Sequence, residues 1–227
     1  MTQTHTITVG MLVFPNLTQL DLTGPYEVFA RMPNAKVHLV WKRDEPVVSD
    51  VGLTLVPTTT CAACPPLDVI CIPGGPGQID LMEDAEIIDF VRRQGAQARY
   101  VTSVCTGALV LGAAGLLRGY KAATHWASMD NLEHFGATPV KTRVCIDRNR
   151  ITGAGVTSGL DFGLTMVSEL RDRFYAECIQ LLAEYDPHPP FDSGSIRTAP
   201  AKVRATMTPM FDDFRTHTRD LARSLKA

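Results

Sequence analysis

Tyr100-Val-Thr-Ser-Val-Cys105-Thr-Gly-Ala-Leu-Val-Leu-Gly-Ala-Ala-Gly115 decides how the rest of the chain is read. Its first half is a short apolar run of the kind that forms a strand covered on both faces. Its second half is rich in small residues and reads as a helix, with Cys105 at the junction. Ser103-x-Cys105-x-Gly107 has the spacing of the G-x-S-x-G nucleophile elbow, with sulfur in place of oxygen and Ser at the first small position. So sharp a strand-to-helix turn needs small neighbours, and Ser103 and Gly107 supply them. The following helix directs free N–H groups and the positive end of its dipole at the sulfur. That predicts a lowered thiol pKa and a thiolate near neutral pH. The competing reading is an inert cysteine at a strand end, since free cysteine is among the most buried residue types. The elbow spacing favours a nucleophile.

Two other strand ends carry informative loops. Thr6 to Phe14 is a near-continuous apolar run ended by Pro15. Leu17-Thr-Gln-Leu-Asp21-Leu-Thr-Gly-Pro25 follows, then a helical pattern from Tyr26 to Met32. Asp21 falls between strand and helix, and taken alone it reads as a helix N-cap. Leu67-Asp-Val-Ile-Cys-Ile72 is a second buried strand, running into Pro73-Gly74-Gly75-Pro76-Gly77. Adjacent glycines allow close approach of another group to the backbone. The loop fits neither the phosphate-loop nor the dinucleotide pattern. It is either a tight turn or a backbone N–H donor aimed at a reaction centre. Loops that follow parallel strands share one edge of the sheet, so Asp21, Gly74–Gly75 and Cys105 are predicted to meet there.

The remaining elements alternate. Lys36–Trp41 reads as a strand, Val51–Val56 as an edge or hairpin strand, and Asp84–Ala98 as a helix. Lys121–Trp126 is a short strand before a helix over 127–135. Arg143–Ile146 and Ile151–Gly155 form a hairpin, and a long helix is expected from Thr157 to Tyr185. Asp186–Gly194 is too rich in Pro to be helical, and 200–226 is a weaker helical pattern broken near Pro209. The alternation predicts an α/β fold, a mostly parallel sheet sandwiched by helices.

The 227 residues carry a net charge of −2, so no basic surplus points to nucleic acid or an anionic membrane as partner. The first residues lack the cationic-then-apolar pattern of an export signal, and no apolar run has membrane-spanning length. A cytoplasmic protein with reduced thiols is expected. Cys61-Ala-Ala-Cys64 lacks a second half-site for zinc, and Pro65-Pro66 blocks the helix a redox motif needs, so it reads as a loop. No metal site is expected.

Together Gln19-Leu-Asp21-Leu-Thr-Gly-Pro25, Asp68-Val-Ile-Cys-Ile-Pro-Gly-Gly75, Arg99-Tyr-Val-Thr-Ser-Val-Cys-Thr-Gly107, Leu109-Val-Leu-Gly-Ala-Ala-Gly-Leu-Leu117, Ala123-Thr-His-Trp126 and Glu184-Tyr-Asp-Pro-His-Pro-Pro-Phe191 carry a resemblance. The chain resembles the ThiJ/PfpI superfamily and, within it, the isocyanide hydratase branch. The likeness covers nearly the whole chain. It implies a flavodoxin-like, class I glutamine amidotransferase-like fold, read as a single domain over 1–227 with 187–227 as a C-terminal extension packing on it. It also implies a homodimer, a small-molecule isocyanide as substrate, and no cofactor. Cys105 would attack the isocyanide carbon to give a thioimidate, Asp21 would act as general acid and base, and Gly75 and Thr106 would supply backbone donors. The Thr106 hydroxyl either hydrogen-bonds Asp21 or is a plain first-turn residue.

Gly74 is a candidate pocket-lining residue, and His125 is either a core or loop histidine or part of the pocket lining; the resemblance implies that Val156 and Thr157 line the pocket or cover Cys105. Thr106, not His, follows Cys105, and His125 has no acidic orienter at a triad-like spacing, which disfavours a Cys–His amidase or peptidase. The rival readings are a redox-sensing or chaperone-like protein using the same cysteine, a glyoxalase-type enzyme, and the ligand-binding domain of an AraC-type regulator. The last shares the Asp-Leu-Thr-Gly-Pro and Thr-His-Trp segments, but would need helix-turn-helix motifs that this sequence lacks.

Overall fold

A computed structural model describes residues 5–225. Residues 1–4 of the N-terminal stretch and 226–227 of the C-terminal extension lie outside the described residues. The strands are β1 (Ile7–Leu12), β2 (Ala35–Trp41), β3 (Val47–Val48), β4 (Thr54–Leu55), β5 (Thr59–Thr60), β6 (Val69–Ile72), β7 (Tyr100–Val104), β8 (Lys121–Ala122), β9 (Thr138–Pro139), β10 (Val144–Asp147) and β11 (Arg150–Gly153). The helices are α1 (Gln19–Ala30), α2 (Gln78–Glu83), α3 (Ala85–Gln97), α4 (Gly107–Ala113), α5 (Asn131–His134), α6 (Ser158–Leu170), α7 (Arg173–Leu182), α8 (Ala201–Met207) and α9 (Asp212–Ser224).

Seven strands form the main sheet in the order β10-β11-β7-β6-β1-β2-β5. Every pairing in it is parallel except β10 with β11. Taken in sequence order, β1, β2, β6, β7 and β11 lie side by side as 2-1-3-4-5, the doubly wound flavodoxin order. The order reverses between β1 and β6, which places the ligand-binding crevice outside their carboxyl ends. β1, β6 and β7 are buried almost throughout because helices cover both faces. Val9, Met11, Val69, Ile72, Val101 and Val104 form the centre of the core. On one side α1 and α6 pack together, with Gly159 closing on Pro25 and Gly163 on Val28.

The structure departs from the sequence reading in its boundaries. α1 begins at Gln19 and not at Tyr26, so Asp21 is a first-turn helical residue, with Thr18 at the cap. Pro25 therefore sits inside the helix, where it removes a donor but does not stop the chain. The Gly loop leads into α2, a short helix the periodicity concealed; Asp84 then caps α3 through the N–H groups of Glu86 and Ile87. The expected long helix is two. It breaks at Arg171, whose guanidinium binds the carbonyls of Pro33, Asn34 and His5, and Asp172 caps α7 through the Tyr175 N–H. The helix expected over 127–135 is a 3₁₀ turn at Trp126–Ser128 followed by α5. Only Thr54–Leu55 of the expected strand at 51–56 pairs, with Val47–Val48, outside the main sheet. Among the described residues no helix is long and apolar enough to cross a membrane. Residues 186–200 contain no helix or strand, and α9 packs on α5 and α2.

Candidate active site

Cys105 follows β7 and precedes α4, as the elbow pattern requires. Its φ is +57°, in the left-handed region that non-glycine residues rarely enter. The turn is held from several sides. The Cys105 N–H donates to the carbonyls of Ala154 (2.8 Å) and Gly153 (3.2 Å), and its own carbonyl accepts the Thr124 hydroxyl (2.8 Å). Any side chain at position 107 would run into the carbonyl of Ile72, which is why glycine stands there. Such over-determination is how a strained residue persists at a site.

The sheet brings the three loops together. Asp21 lies wholly buried in the first turn of α1, and its Oδ2 accepts the Gly74 N–H at 3.1 Å. Its carboxyl lies within hydrogen-bonding reach of the Cys105 thiol. Oδ1 has no well-formed hydrogen-bond partner, an uncommon state for a buried polar atom. Gly74 has no room for a side chain: a β-carbon there would stand 2.5 Å from the Thr106 nitrogen and 2.9 Å from Asp21 Oδ2. Gly75 has a φ of +135° and packs against the backbone of Thr18.

Two expectations about donors change. The Gly75 N–H is not open towards a reaction centre; it donates to Thr106 Oγ1 at 3.0 Å. The Thr106 hydroxyl makes that bond and interacts with the Cys105 sulfur, as does the Thr106 N–H. Thr106 thus ties the glycine loop to the sulfur.

The electrostatics also differ from the elbow prediction. Burial, followed by the nearby Asp21 carboxylate, pushes the Cys105 thiol well above its ordinary value; the Thr106 N–H and hydroxyl pull the other way without prevailing. Burial also raises the Asp21 carboxyl, from 3.8 to about 7, against the lowering effects of Cys105 and the Gly74 N–H. Protons on the pair are therefore held jointly, and its titration belongs to both groups.

The remaining candidates lie at varying remove. His125 borders the elbow: a β-carbon on Gly155 would stand 3.0 Å from its Cδ2. Its Nδ1 accepts the Ala127 N–H at 3.4 Å, and burial lowers its pKa, so the ring is neutral. Val156 packs against the core, and Thr157 is exposed at the start of α6. Sequence reasoning missed Thr124, the Ala154 carbonyl and Phe211, whose ring meets His125 from the C-terminal segment. Short polar residues and carbonyls carry no pattern that would have marked them. Among the described residues no group of three His, Cys, Asp or Glu side chains is placed to hold a metal.

A buried thiol on a left-handed elbow residue, facing a carboxyl at the switch point of a doubly wound sheet, places the chain among the cysteine-elbow α/β proteins. The DJ-1/PfpI family pattern matches residues 7–169, and the chain belongs to that family. Over 195 residues it is 60% identical to an isonitrile hydratase of Pseudomonas putida, covering 86% of each protein. A solved structure of a ThiJ/PfpI family protein from Pseudomonas syringae superposes with a TM-score of 0.94 at 52% identity, covering 96% of this chain and 91% of that one. The chain is also 29% identical to a helix-turn-helix transcriptional regulator, GbdR, of Pseudomonas aeruginosa, over 78% of this chain but only half of the regulator.

Proposed function

We propose that the protein hydrates an isocyanide, R–N≡C, to the N-substituted formamide, with Cys105 as nucleophile and Asp21 as proton carrier. One observation carries this reading: a carboxyl kept partly protonated near pH 7 lies against the sulfur of an elbow cysteine. The isocyanide carbon must gain both a nucleophile and a proton, and the pair offers both to one atom. The identity to the Pseudomonas putida enzyme supports the same choice of substrate.

Protons balance through Asp21. With one proton on the pair, the thiol proton passes to the carboxylate as sulfur bonds to the terminal carbon. The carboxyl then delivers it to that carbon, giving the thioimidate S–CH=N–R. Asp21 next takes a proton from water as its oxygen adds to the carbon, and hands that proton to the nitrogen. Collapse breaks the C–S bond, the hydroxyl proton returns through Asp21 to sulfur, and the formamide leaves. The Thr106 N–H and hydroxyl stabilise negative charge on the departing sulfur. A neutral His125 without a carboxylate partner fits no triad role. The homodimer and the cytoplasmic setting belong to the same proposal.

The test is incubation with cyclohexyl isocyanide and detection of N-cyclohexylformamide. The wild-type protein is expected to form it and Cys105→Ala to form none. Wild-type rates in that variant refute covalent catalysis, and no formamide from the wild-type protein refutes the substrate.

A further inference from the structure

The family match ends at residue 169, yet the last segment of the chain reaches back to the site. α9 is held at two places. Asn131 Nδ2 donates to the Arg215 carbonyl at 3.4 Å and Arg215 pairs with Asp130 at 3.4 Å, while His217 faces Glu83 of α2 at 3.5 Å. Thr218 and Ala222 are buried. This docking fixes the 3₁₀ turn Thr208–Phe211 immediately before α9. The Phe211 ring stands 5.3 Å from the rings of both His125 and Trp126, edge-on to the latter, and those two are 5.4 Å apart.

The inner member of this cluster is the one that borders the elbow. His125 sits against Gly155, next to the Ala154 carbonyl that receives the Cys105 N–H, and it follows Thr124, whose hydroxyl holds the Cys105 carbonyl. The other hydrogen-bonding partners of the Cys105–Asp21 pair are the Gly74 and Thr106 N–H groups, the Gly153 carbonyl and the Thr106 hydroxyl. Those partners are polar, whereas the three packed rings beside the elbow offer a large apolar surface to a carbon substituent.

We propose that Phe211 is a specificity-determining residue: with Trp126 it forms the apolar wall against which the substituent R of the substrate rests. The identity of that substrate rests on the isocyanide reading, while the wall is a property of the surroundings of Cys105. The test compares wild-type protein, Phe211→Ala and Phe211→Leu on cyclohexyl and ethyl isocyanide. In Phe211→Ala the ratio of kcat/KM for cyclohexyl over ethyl falls about tenfold, carried by KM, as for loss of an apolar pocket contact. Phe211→Leu, which keeps an apolar side chain, stays within about threefold of wild type. A ratio unchanged in Phe211→Ala, or an equal loss on both substrates, overturns the proposal.

The same proteins are alkylated at Cys105 with iodoacetamide and with its N-cyclohexyl analogue, read by mass spectrometry of the Cys105 peptide. The ratio of the two rates falls in the same direction in Phe211→Ala. Absence of wild-type turnover on either isocyanide refutes the functional reading alone. The alkylation ratio then decides the wall, and an unchanged ratio overturns it.

Discussion

Asp21→Asn keeps the shape of the side chain and removes its ionisation. The wild-type carboxyl is raised from 3.8 to about 7, chiefly by burial. A raised carboxyl pKa means that the folded state favours the protonated form. Its contribution to stability is fully present below the unfolded value and is lost as pH rises to the folded one, because the unfolded chain ionises first. Above about 7 both states are ionised and the loss is complete. At about 1.4 kcal/mol per pKa unit, the whole effect is about 4 kcal/mol. Integrating the linkage, about 3 kcal/mol of it falls between about pH 5 and pH 8. Cys105 stays protonated across that window, since its thiol lies well above its ordinary value. The variant lacks the Asp21 titration and shares the other ionising groups, so the difference between the two proteins isolates it. Urea unfolding at both ends of the window measures that difference. Wild type should lose about 3 kcal/mol relative to Asp21→Asn as pH rises. A difference constant to about 0.5 kcal/mol would mean an ordinary carboxylate at position 21, with no proton to give to carbon.

The pH dependence of kcat/KM should follow the pair. Below about 7 both groups hold their protons and there is neither nucleophile nor base, so the rate rises with pH through an apparent pKa near 7 and then stays level. A profile that falls through neutrality rules out the proton sharing proposed here. Gly74→Ala places a β-carbon 2.6 Å from Thr106 Oγ1 and 2.9 Å from Asp21 Oδ2. Displacing those groups should lower kcat/KM by about a hundredfold or more. Circular dichroism would check that the fold survives, and near-normal turnover would show that the loop does not position the acid.

The elbow was legible because Ser103, Cys105 and Gly107 serve a local demand: a tight turn leaves no freedom in residue size. The sheet was legible because β1, β6 and β7 are buried on both faces and so read as unbroken apolar runs. The start of α1 was not, since Pro25 speaks for a helix boundary when taken alone, and tertiary packing on α6 keeps it interior. The break at Arg171 was hidden because its cause lies far off in sequence, at the Pro33 and Asn34 carbonyls. Burial of the thiol was hidden for the same reason: the helix N-terminus is local and visible, while the burial that raises the thiol belongs to the assembled sheet. Phe211 could not be found in sequence, because only the docking of α9 brings it to His125.

The glycine contacts around the sulfur divide the molecule's evolutionary freedom. At positions 74, 75 and 107 any added carbon collides with the backbone of a neighbouring segment, so these sites cannot drift without displacing the loops that hold Cys105 and Asp21. The His125–Trp126–Phe211 rings lie outside that lock, on segments joined to it by side-chain packing. A lineage can therefore exchange ring for branch or branch for methyl there and inherit the Cys105–Asp21 pair unaltered.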